Sequence, residues 1–319
     1  MNEKRWDLYV YGDVNIDIVI PGVEKFPEPG QENEVPVMET FVGGGGALFA
    51  LGVGKLGLHP VFHGEVGDDF YGTFIRKIFR ENNIDDSLLQ TSKTKKTGIS
   101  LSFTNKKDRS FLTFRGTNES INIDTVDVEK VNDASHIHVT GYAGSANHDS
   151  YLRFLRRIKE ETQATVSFDL GWDTTGEWKR EIYHLFPYID VLFMNETEAR
   201  HYGRKDDARK AALDFAAYCG LAVIKMGKQG SIAVKGKDIY EAAAYTVETI
   251  DTTGAGDSFN AGFLYGFLKG KSPEDSLRCG NGCGALSVTV LGGNSGFPSE
   301  SRLMEFIQTY KENPAGAYG

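Results

Sequence analysis

The sequence has few cysteines and lacks any long apolar run. Its 3 cysteines in 319 residues, Cys219, Cys279 and Cys283, are too few and too unevenly spaced for a disulfide framework or a zinc site. No apolar stretch reaches the roughly 20 residues that cross a bilayer. The N-terminus has no signal-peptide pattern and runs directly into a predicted strand. These absences predict a reduced, cytoplasmic protein with no membrane partner.

Dense basic clusters and two common catalytic motifs are also missing. The net charge is −9, and the longest basic clusters, 93–96 and 106–109, fit solvated turns, so we expect no nucleic-acid partner. Gly270-Lys-Ser272 imitates the end of a P-loop but lacks its first glycine and follows a predicted helix. No G-x-S-x-G supports a serine hydrolase triad. Any phosphoryl transfer must therefore use a different anion cradle.

The sequence does contain a regular alternation of short apolar strands and helices from residue 131 onward. A chain of 319 residues with 40% hydrophobic and 25% charged residues is long enough for one large α/β domain or two smaller ones. The alternation predicts a mostly parallel sheet covered on both faces, with ligands beyond the carboxyl ends of its strands. No linker separates independent domains, so we expect residues 1–319 to form one domain.

Two stretches of about 13–40 and 97–116 interrupt this alternation because they contain only predicted strands. The first includes a strand at Val35–Glu39, and the second pairs Gly98–Thr104 with Ser110–Phe114 through a turn at Lys106–Arg109. Together they predict a small sheet that stands off the main body and covers a ligand site. The exposed edges of such a lid favour a homodimer.

The most informative stretch is DTTGAGDSF, residues Asp251–Phe259. It lies between an apolar alternation at Ala243–Ile250, which predicts a strand, and an apolar run at Phe259–Leu268, which predicts a buried helix. A glycine-rich turn at that junction leaves the first helical N–H groups facing an anion. Asp257 then either takes a proton from an attacking hydroxyl or only caps the helix.

Other polar residues stand near predicted strand ends. Asp13, Asn15 and Asp17 share one face of an extended segment, which suits either binding of hydroxyls or a polar edge strand. Asn195 and Glu198 share the first turn of a helix, which suits either a hydrated magnesium or phosphate site or a capping pair. The local patterns leave both alternatives open.

Three glycine-rich segments complete the pattern. Gly43–Gly46 opens a predicted helix and provides either bare backbone for a ligand or a hinge. Gly227–Gly230 links two predicted strands, as a nucleotide loop or a plain hairpin. Gly52–Gly57 matches G-x-G-x-x-G but falls at the end of a predicted helix, so we do not expect a nicotinamide site there.

These motifs together resemble the ribokinase-like (PfkB) carbohydrate kinase family. DTTGAGDSF is similar to the second signature of that family, and the resemblance covers nearly the whole chain. It extends through the glycine-rich segment 43–57, VGDDFYG at 66–72, NETEA at 195–199, KMGKQG at 225–230 and SVTVLGG at 287–293. The resemblance implies a three-layer αβα, Rossmann-like sheet with a β-sheet lid. It also implies ATP- and Mg²⁺-dependent phosphorylation of a hydroxyl, expected to be a primary alcohol, on a small sugar.

The resemblance also implies a role for each matching residue. Asp257 would be the general base, and the anion hole would be formed by the amides of Gly254, Ala255, Gly256 and Asp257. The sugar would meet Asp13, Asn15, Asp17, Gly43 and Gly44. The nucleotide would lie along Asn195, Lys225, Gly227, Gly230, Thr252, Gly254, Gly256 and Asn281. Glu198 would order Mg²⁺ through water, and K⁺ or another monovalent cation would lie at Asp251, Thr253, Ser287, Val290 and Gly292.

One departure from the family pattern bears on the substrate. The first signature of the family usually has an asparagine five residues after its first glycine, where this chain has Leu48, or Phe49 after a one-residue shift. Neither side chain can make that hydrogen bond, so a nucleoside or a deoxy sugar also fits. Arg115, at the end of a lid strand, either pairs with an acidic substrate or is solvated.

Two alternatives to a sugar kinase remain. A nucleoside kinase would use the same phosphoryl-transfer residues. A non-catalytic regulator that binds a sugar or a nucleotide would not need the base, so the presence of Asp257 directly after intact Gly254 and Gly256 argues against it.

Overall fold

The computed structural model describes residues 4–23, 25–104, 109–142 and 145–312. In chain order, the strands of this part of the chain are β1 (Trp6–Tyr11), β2 (Asn15–Pro21), β3 (Glu39–Gly43), β4 (Pro60–Gly67), β5 (Leu89–Ser92), β6 (Gly98–Thr104), β7 (Arg109–Phe114), β8 (Ala134–Thr140), β9 (Thr165–Asp169), β10 (Val191–Asn195), β11 (Ala222–Lys225), β12 (Ser231–Lys235) and β13 (Asp238–Ala242). The helices are α1 (Gly45–Lys55), α2 (Phe70–Glu81), α3 (Val128–Val131), α4 (His148–Glu161), α5 (Glu196–Gly203), α6 (Ala208–Phe215), α7 (Ala255–Leu268), α8 (Pro273–Ser287) and α9 (Glu300–Glu312). Among these helices, none is both long enough and apolar enough to traverse a bilayer.

The large sheet is mostly parallel and is buried on both faces. Its strand order is β13-β12-β11-β10-β9-β8-β1-β4-β5, and only β12 and β13 run antiparallel to their neighbours. Successive residues of β1 point into different cores: Leu8 belongs to the core that includes residues of α1 and α7, whereas Tyr9 belongs to the core that includes residues of α4 and α6. This alternation shows why continuous apolar strands are needed here, and the predicted three-layer αβα architecture is confirmed.

The small sheet draws its strands from both of the predicted β-only stretches. Its order is β3-β2-β6-β7, with β2 and β6 parallel and the outer pairs antiparallel. The predicted strand at Val35–Glu39 is wrong, because the ladder with β2 only begins where Val19 pairs with Glu39. Residues 106–108 of the predicted turn lie outside the described residues.

The strand predicted at Ala243–Ile250 is also wrong. The last strand, β13, ends at Ala242, and beyond it residues 243–250 pair with no strand in the described part of the chain. The apolar alternation has another cause. Tyr245 and Val247 pack against the core beneath α8 and α9, and the segment forms a wall of a cavity instead of a ladder.

The remaining boundaries agree with the predictions to within a few residues. The helix predicted at the four glycines begins within them, at Gly45. Gly52 and Gly54 lie inside α1 and Gly57 follows it, so the G-x-G-x-x-G match does not join a strand to a helix start.

The small sheet joins the large one through close backbone crossings. Gly44 has φ +93°, and a Cβ atom there would lie 2.7 Å from the carbonyl oxygen of Asp13. Gly116 has φ +52°, and its Cβ would lie 2.3 Å from the carbonyl oxygen of Lys96. Both positions require glycine, since any side chain would separate the two backbones that hold the small sheet above the strand ends.

Candidate active site

The carboxyl ends of the parallel strands bring the predicted polar residues to one edge of the sheet. Asp169 ends β9, Asn195 ends β10 and Lys225 ends β11, and Asn195 pairs directly with Lys225. Helix α7 begins close to this edge, because a Cβ atom at Gly256 would lie 3.5 Å from Lys225 Nζ. Ligands of α/β sheets bind at such an edge.

Helix α7 begins without a side-chain cap. Its N-cap is Gly254, in the left-handed conformation at φ +72°, whereas α2, α5 and α6 are capped by side chains of Asp69, Asn195 and Asp207. Asp257 is the third residue of the helix, so the interpretation of Asp257 as an N-cap is wrong. Uncapped amides at a helix N-terminus attract an anion.

Gly254 is fixed by its surroundings as well as by its backbone angle. A Cβ atom there would lie 2.3 Å from the carbonyl oxygen of Gly293. The amide turn at 254–256 is therefore pressed against the 292–293 backbone, and only glycine fits the contact.

The charged side chains beneath this turn lie close enough to affect one another's ionisation. Lys225 Nζ donates a hydrogen bond to Asp169 Oδ2 at 2.7 Å. Burial raises the pKa of Asp257 well above its ordinary value, the negative charge of Asp169 raises it further, and Lys225 offsets part of the effect. Burial lowers the pKa of Lys225, but Asp169 and Glu198 outweigh that and raise it, so this side chain stays charged.

Asn195 and Glu198 form a complete capping box at the start of α5. Asn195 Oδ1 accepts from the Glu198 amide and Glu198 Oε2 accepts from the Asn195 amide, both at 2.9 Å. The capping alternative is thus present in the structure. Glu198 is nonetheless only 5% exposed, and burial together with Asp169 raises its pKa, which is a high cost for a residue that only caps a helix.

The predicted sugar-binding residues lie on the opposite side of the cleft, at the root of the small sheet. Asp13 precedes β2, and its Oδ1 accepts a hydrogen bond from the Gly46 amide at 3.1 Å. Asn15 Nδ2 donates to Asp17 Oδ1 at 2.7 Å. Gly43 is adjacent, since a Cβ atom there would meet the Asp17 carboxylate at 2.3 Å. Asp13 therefore accepts a hydrogen bond from an amide in the first turn of α1, whereas α7 has no side-chain cap.

The gap between the two sides of the cleft lies at Gly45. A Cβ atom at this residue would be 3.4 Å from Asp257 Oδ1 and 3.6 Å from Asp13 Oδ1. Leu48 lies one turn further along α1, is 4% exposed, and lies close to Gly293. The space between the two carboxylates is therefore bounded by bare backbone at Gly45.

Asp17 makes a pH-dependent contribution to stability. Burial raises its pKa from 3.8 to about 6, the hydrogen bond from Asn15 opposes the rise, and the charges of Asp13 and Asp251 add to it. A raised folded-state pKa stabilises the fold below the unfolded pKa and loses that effect as pH rises through about 6. The difference corresponds to roughly 3 kcal/mol.

We therefore expect the free energy of unfolding of wild type, relative to Asp17→Asn, to fall between about pH 4 and pH 7 by up to roughly 3 kcal/mol. Urea unfolding of both proteins at several pH values without ligand measures this difference. Other titrating groups cancel in the comparison. A difference that stays constant with pH would contradict the assignment.

A cavity of about 690 Å³ opens from the first turn of α7 towards α8. Six of the predicted nucleotide-binding residues line it: Lys225, Gly227, Gly230, Thr252, Gly256 and Asn281. Asn195 and Gly254 are not among its lining residues. The Asn281 side chain is held by hydrogen bonds to the carbonyl oxygen of Ala242 at 3.0 Å and from Ser231 Oγ at 3.0 Å. The size of this cavity suits a nucleotide-sized ligand.

The sequence interpretation missed the apolar walls of this cavity. They consist of Tyr245, Val247, Phe259, Ala285 and Val288. The apolar alternation at 243–250 was the available signal, but the same pattern also predicts a strand.

The predicted monovalent-cation residues lie on two segments, 251–253 and 287–292, which a hydrogen bond to Asp251 joins. Asp251 Oδ1 accepts hydrogen bonds from the Thr253 amide at 2.9 Å and the Thr253 hydroxyl at 2.7 Å, and Oδ2 accepts from the Gly292 amide at 3.0 Å. Ser287 Oγ donates to the carbonyl oxygen of Gly284, and Val290 is 38% exposed. Within the described ranges, no three His, Cys, Asp or Glu side chains cluster as a metal site would require.

The surroundings of Arg115 and of the two histidines in β8 indicate no role in the candidate site. Arg115 is exposed and precedes a short 3₁₀ turn. His136 and His138 are fully buried in β8, and both ring systems bond to Ser167 Oγ at 2.7 Å. Burial lowers the pKa of both imidazoles, so they stay neutral.

Comparison with known proteins identifies the family of the chain. A model of the pfkB family of carbohydrate kinases matches residues 6–300, and the chain belongs to that family. It is therefore a sugar kinase that uses ATP.

Individual relatives are distant but nearly full-length. The chain is 27% identical over 325 residues to a 5-dehydro-2-deoxygluconokinase of Listeria monocytogenes, covering 96% of this chain and 97% of that one. The Arabidopsis thaliana ribokinase complexed with ribose and ATP has a TM-score of 0.82 and 22% identity, covering 95% and 99% of the two chains. An Escherichia coli chain in complex with ATP and Mg²⁺ has a TM-score of 0.83 and 21% identity, with the same coverage. These two structures share the fold.

Proposed function

We propose that the protein transfers the γ-phosphoryl group of ATP to a hydroxyl, a primary alcohol, of a small sugar, with Asp257 as the general base. One observation carries the proposal. Asp257 Oδ1 lies at the gap beside Gly45, where the uncapped start of α7 meets the acceptor side formed by Asp13. A hydroxyl placed in this gap would have both a proton acceptor and an anion-binding turn within reach.

Each residue of the turn has a distinct task in this proposal. Asp257, whose raised pKa brings it towards that of a useful base, accepts the proton of the sugar hydroxyl. The amides of Gly254, Ala255, Gly256 and Asp257 stabilise the transferred group, at about 3 kcal/mol per donor. Asn15 and Asp17 orient the acceptor, with Gly43 and Gly44 beneath it. The small sheet acts as a lid on a single domain spanning 1–319, and it excludes water that would otherwise accept the phosphoryl group.

A divalent cation fits the charge of this site. Burial raises the pKa values of Glu198 and Asp257, the negative charge of Asp169 raises both further, and Lys225 is the cation that offsets part of the effect. Mg²⁺ with its waters, held by Glu198 and Asn195, would neutralise the phosphate oxygens of ATP. We expect excess chelator to abolish phosphorylation and added Mg²⁺ to restore it, as measured by ADP release. Unchanged activity in chelator would contradict the role of Glu198.

Three further properties belong to the proposal. K⁺ would bind carbonyl groups of the loop around Asp251, Thr253, Ser287, Val290 and Gly292. A homodimer would form through the exposed edge of the lid, where Phe111, Leu112 and Phe114 are more than half exposed. A cytoplasmic location remains a prediction from the sequence.

The acceptor is best identified by a coupled ADP-release screen with ATP over pentoses, hexoses, keto-acid sugars and nucleosides. The keto-acid group is included because the Listeria monocytogenes relative is named for such a substrate. Phosphorylation of nucleosides alone would favour the nucleoside kinase alternative. Binding of a sugar or nucleotide without ADP release from any acceptor would favour the non-catalytic regulator.

A further inference from the structure

Three buried polar side chains lie beneath the first turn of α7, and only one of them, Lys225, is a predicted nucleotide-binding residue. Asp169 Oδ2 accepts hydrogen bonds from Lys225 Nζ at 2.7 Å and from the side-chain amide of Asn260. Asn260 is fully buried, and Asp169 is 9% exposed. We call Asp169, Lys225 and Asn260 the buried triad.

Three separate elements build the buried triad. Asp169 ends β9 and Lys225 ends β11, so the lysine side chain reaches across the end of β10, which lies between them. Asn260 lies three residues after Asp257 on α7, on the same side of the helix. The triad thus connects the edge of the sheet to the helix that carries the base.

The orientation of Asn260 is set by Asp169. Its amide group donates to the carboxylate, and its carbonyl oxygen is buried without a hydrogen-bond partner in the described part of the chain. Turning the amide over would bring that oxygen against the Asp169 carboxylate. A buried carbonyl oxygen left unpaired destabilises the fold, so the arrangement points to function and not to stability.

The position of the Lys225 ammonium is the consequence of this arrangement. It lies against the first turn of α7, since a Cβ atom at Gly256 would be 3.5 Å from Nζ. In the described residues its hydrogen bond goes to Asp169 and none goes to Asp257. The charged groups that act on Asp257 are Asp169 on β9, Lys225 on β11 and Asp13 before β2. A direct ion pair between Lys225 and Asp257 would stabilise the carboxylate and make it a weaker base.

We propose that Asp169 and Asn260 are positioning residues for phosphoryl transfer: they hold the Lys225 ammonium beside the amide turn at 254–256 and away from the Asp257 carboxylate. In this position Lys225 meets the phosphate oxygens of the nucleotide while Asp257 remains available for the sugar hydroxyl. The inference rests on the proposed function of the site.

The test compares Asp169→Asn with wild type in kcat, in KM for ATP and in the pH profile of the sugar-dependent reaction. We expect kcat to fall by about 10²-fold, a cost typical of a misplaced catalytic group, and KM for ATP to change less. The acid limb of the profile should move to lower pH, because Asp257 loses a negative neighbour and gains Lys225 as a partner. We expect Asn260→Ser to lower kcat and to move the acid limb to lower pH as well, both by smaller amounts.

Asp190→Asn is the matched control. Like Asp169, Asp190 pairs with a lysine, Lys159, and accepts a second hydrogen bond, here from a backbone amide, but it precedes β10 at the opposite end of the sheet. This variant should keep the kcat and the pH profile of wild type. In addition, Lys225→Met and the double variant Asp169→Asn/Lys225→Met should have equal kcat values at pH values above the acid limb, because there Asp169 acts only through Lys225.

Several results would overturn the inference. One is an Asp169→Asn enzyme whose kcat and acid limb match those of Asp190→Asn. Another is a double variant whose kcat is lower than that of Lys225→Met by the same factor that Asp169→Asn alone produces. If Asp169→Asn does not fold, an unchanged pH profile in Asn260→Ser decides against it. A wild type that phosphorylates no acceptor contradicts the proposed function itself, whereas an active wild type with an unaffected triad variant contradicts only this inference.

Discussion

Asp257→Asn is expected to lose sugar phosphorylation, with kcat lower by about 10²–10⁴-fold, the usual contribution of a general base. Asparagine has the shape of aspartate but no basic oxygen, so the hydroxyl keeps its proton when it meets the phosphoryl group. The side chain is the third residue of α7 and does not cap the helix, so its replacement leaves the amide turn intact. ATP binding should therefore remain close to that of wild type.

Two measurements separate the loss of the base from a loss of folding. Calorimetric titration with ATP should give similar affinities for Asp257→Asn and wild type. Thermal unfolding at neutral pH should show the variant to be at least as stable. The pKa of Asp257 is raised in the fold, so its contribution to stability is lost as pH rises through that pKa, and the neutral amide removes this loss.

Asp207→Asn is a suitable control for the chemical change alone. Asp207 caps α6 by accepting from the Arg209 amide, and asparagine caps a helix equally well. This control should have the kcat of wild type. The wild-type profile of kcat/KM should rise with pH through a pKa above the ordinary 3.8 of an aspartate. Near-normal turnover in Asp257→Asn would exclude this residue as the base.

The sequence was most informative where a function depends on local backbone geometry. The stretch at 251–259 predicts the glycine-rich start of α7 because glycines and an apolar helix are neighbours in the chain, although it leaves open whether Asp257 caps the helix. The alternation after residue 131 predicts the sheet for the same reason, since each strand carries its own apolar pattern. Both features are properties of short segments.

Contacts between residues that are far apart in the sequence could not be predicted from such patterns. Asp169 meets Lys225 across 56 residues and Asn260 across 91, and neither pairing has a local signature. The segment at 243–250 shows a second limit. Its alternation is real, but Tyr245 and Val247 pack against the core and also line a cavity, and a pattern of apolar residues cannot distinguish that arrangement from a strand.

The start of α5 shows a third limit, because one motif serves two purposes. Asn195 and Glu198 form the capping box that their spacing indicates. The unusual burial of Glu198 and its interaction with Asp169 come from the fold and are invisible in the motif. The choice between a cap and a metal-binding pair therefore depends on charges contributed by other strands.

Gly45→Val is expected to abolish phosphorylation of the sugar while leaving ATP binding intact. Gly45 has no positive φ and is the first residue of α1, where a side chain is tolerated. A Cβ atom there would be in ordinary contact with Asp257 Oδ1 at 3.4 Å and Asp13 Oδ1 at 3.6 Å. The valine methyl groups would then fill the space that the acceptor hydroxyl needs.

The reciprocal variant is Gly284→Val, on the nucleotide side of the same turn. Gly284 lines the 690 Å³ cavity, and its Cβ would be 3.5 Å from the carbonyl oxygen of Ala255. This change should raise KM for ATP and leave the sugar affinity unchanged. Gly45→Ala, which adds only the Cβ atom, should give an intermediate loss of activity.

Steady-state kinetics with each substrate varied in turn, together with calorimetric titration of each substrate alone, tests the pair of variants. We expect Gly45→Val to lower kcat/KM for the sugar by about 10²-fold or more, since even a small displacement of the acceptor has that effect. Equal losses for both substrates in both variants would mean that the changes disturb α7 itself. If Gly45→Val impairs only the use of the sugar and Gly284→Val impairs only the use of ATP, donor and acceptor approach Asp257 from the two sides of one turn. Gly45 then marks the place of the reacting hydroxyl.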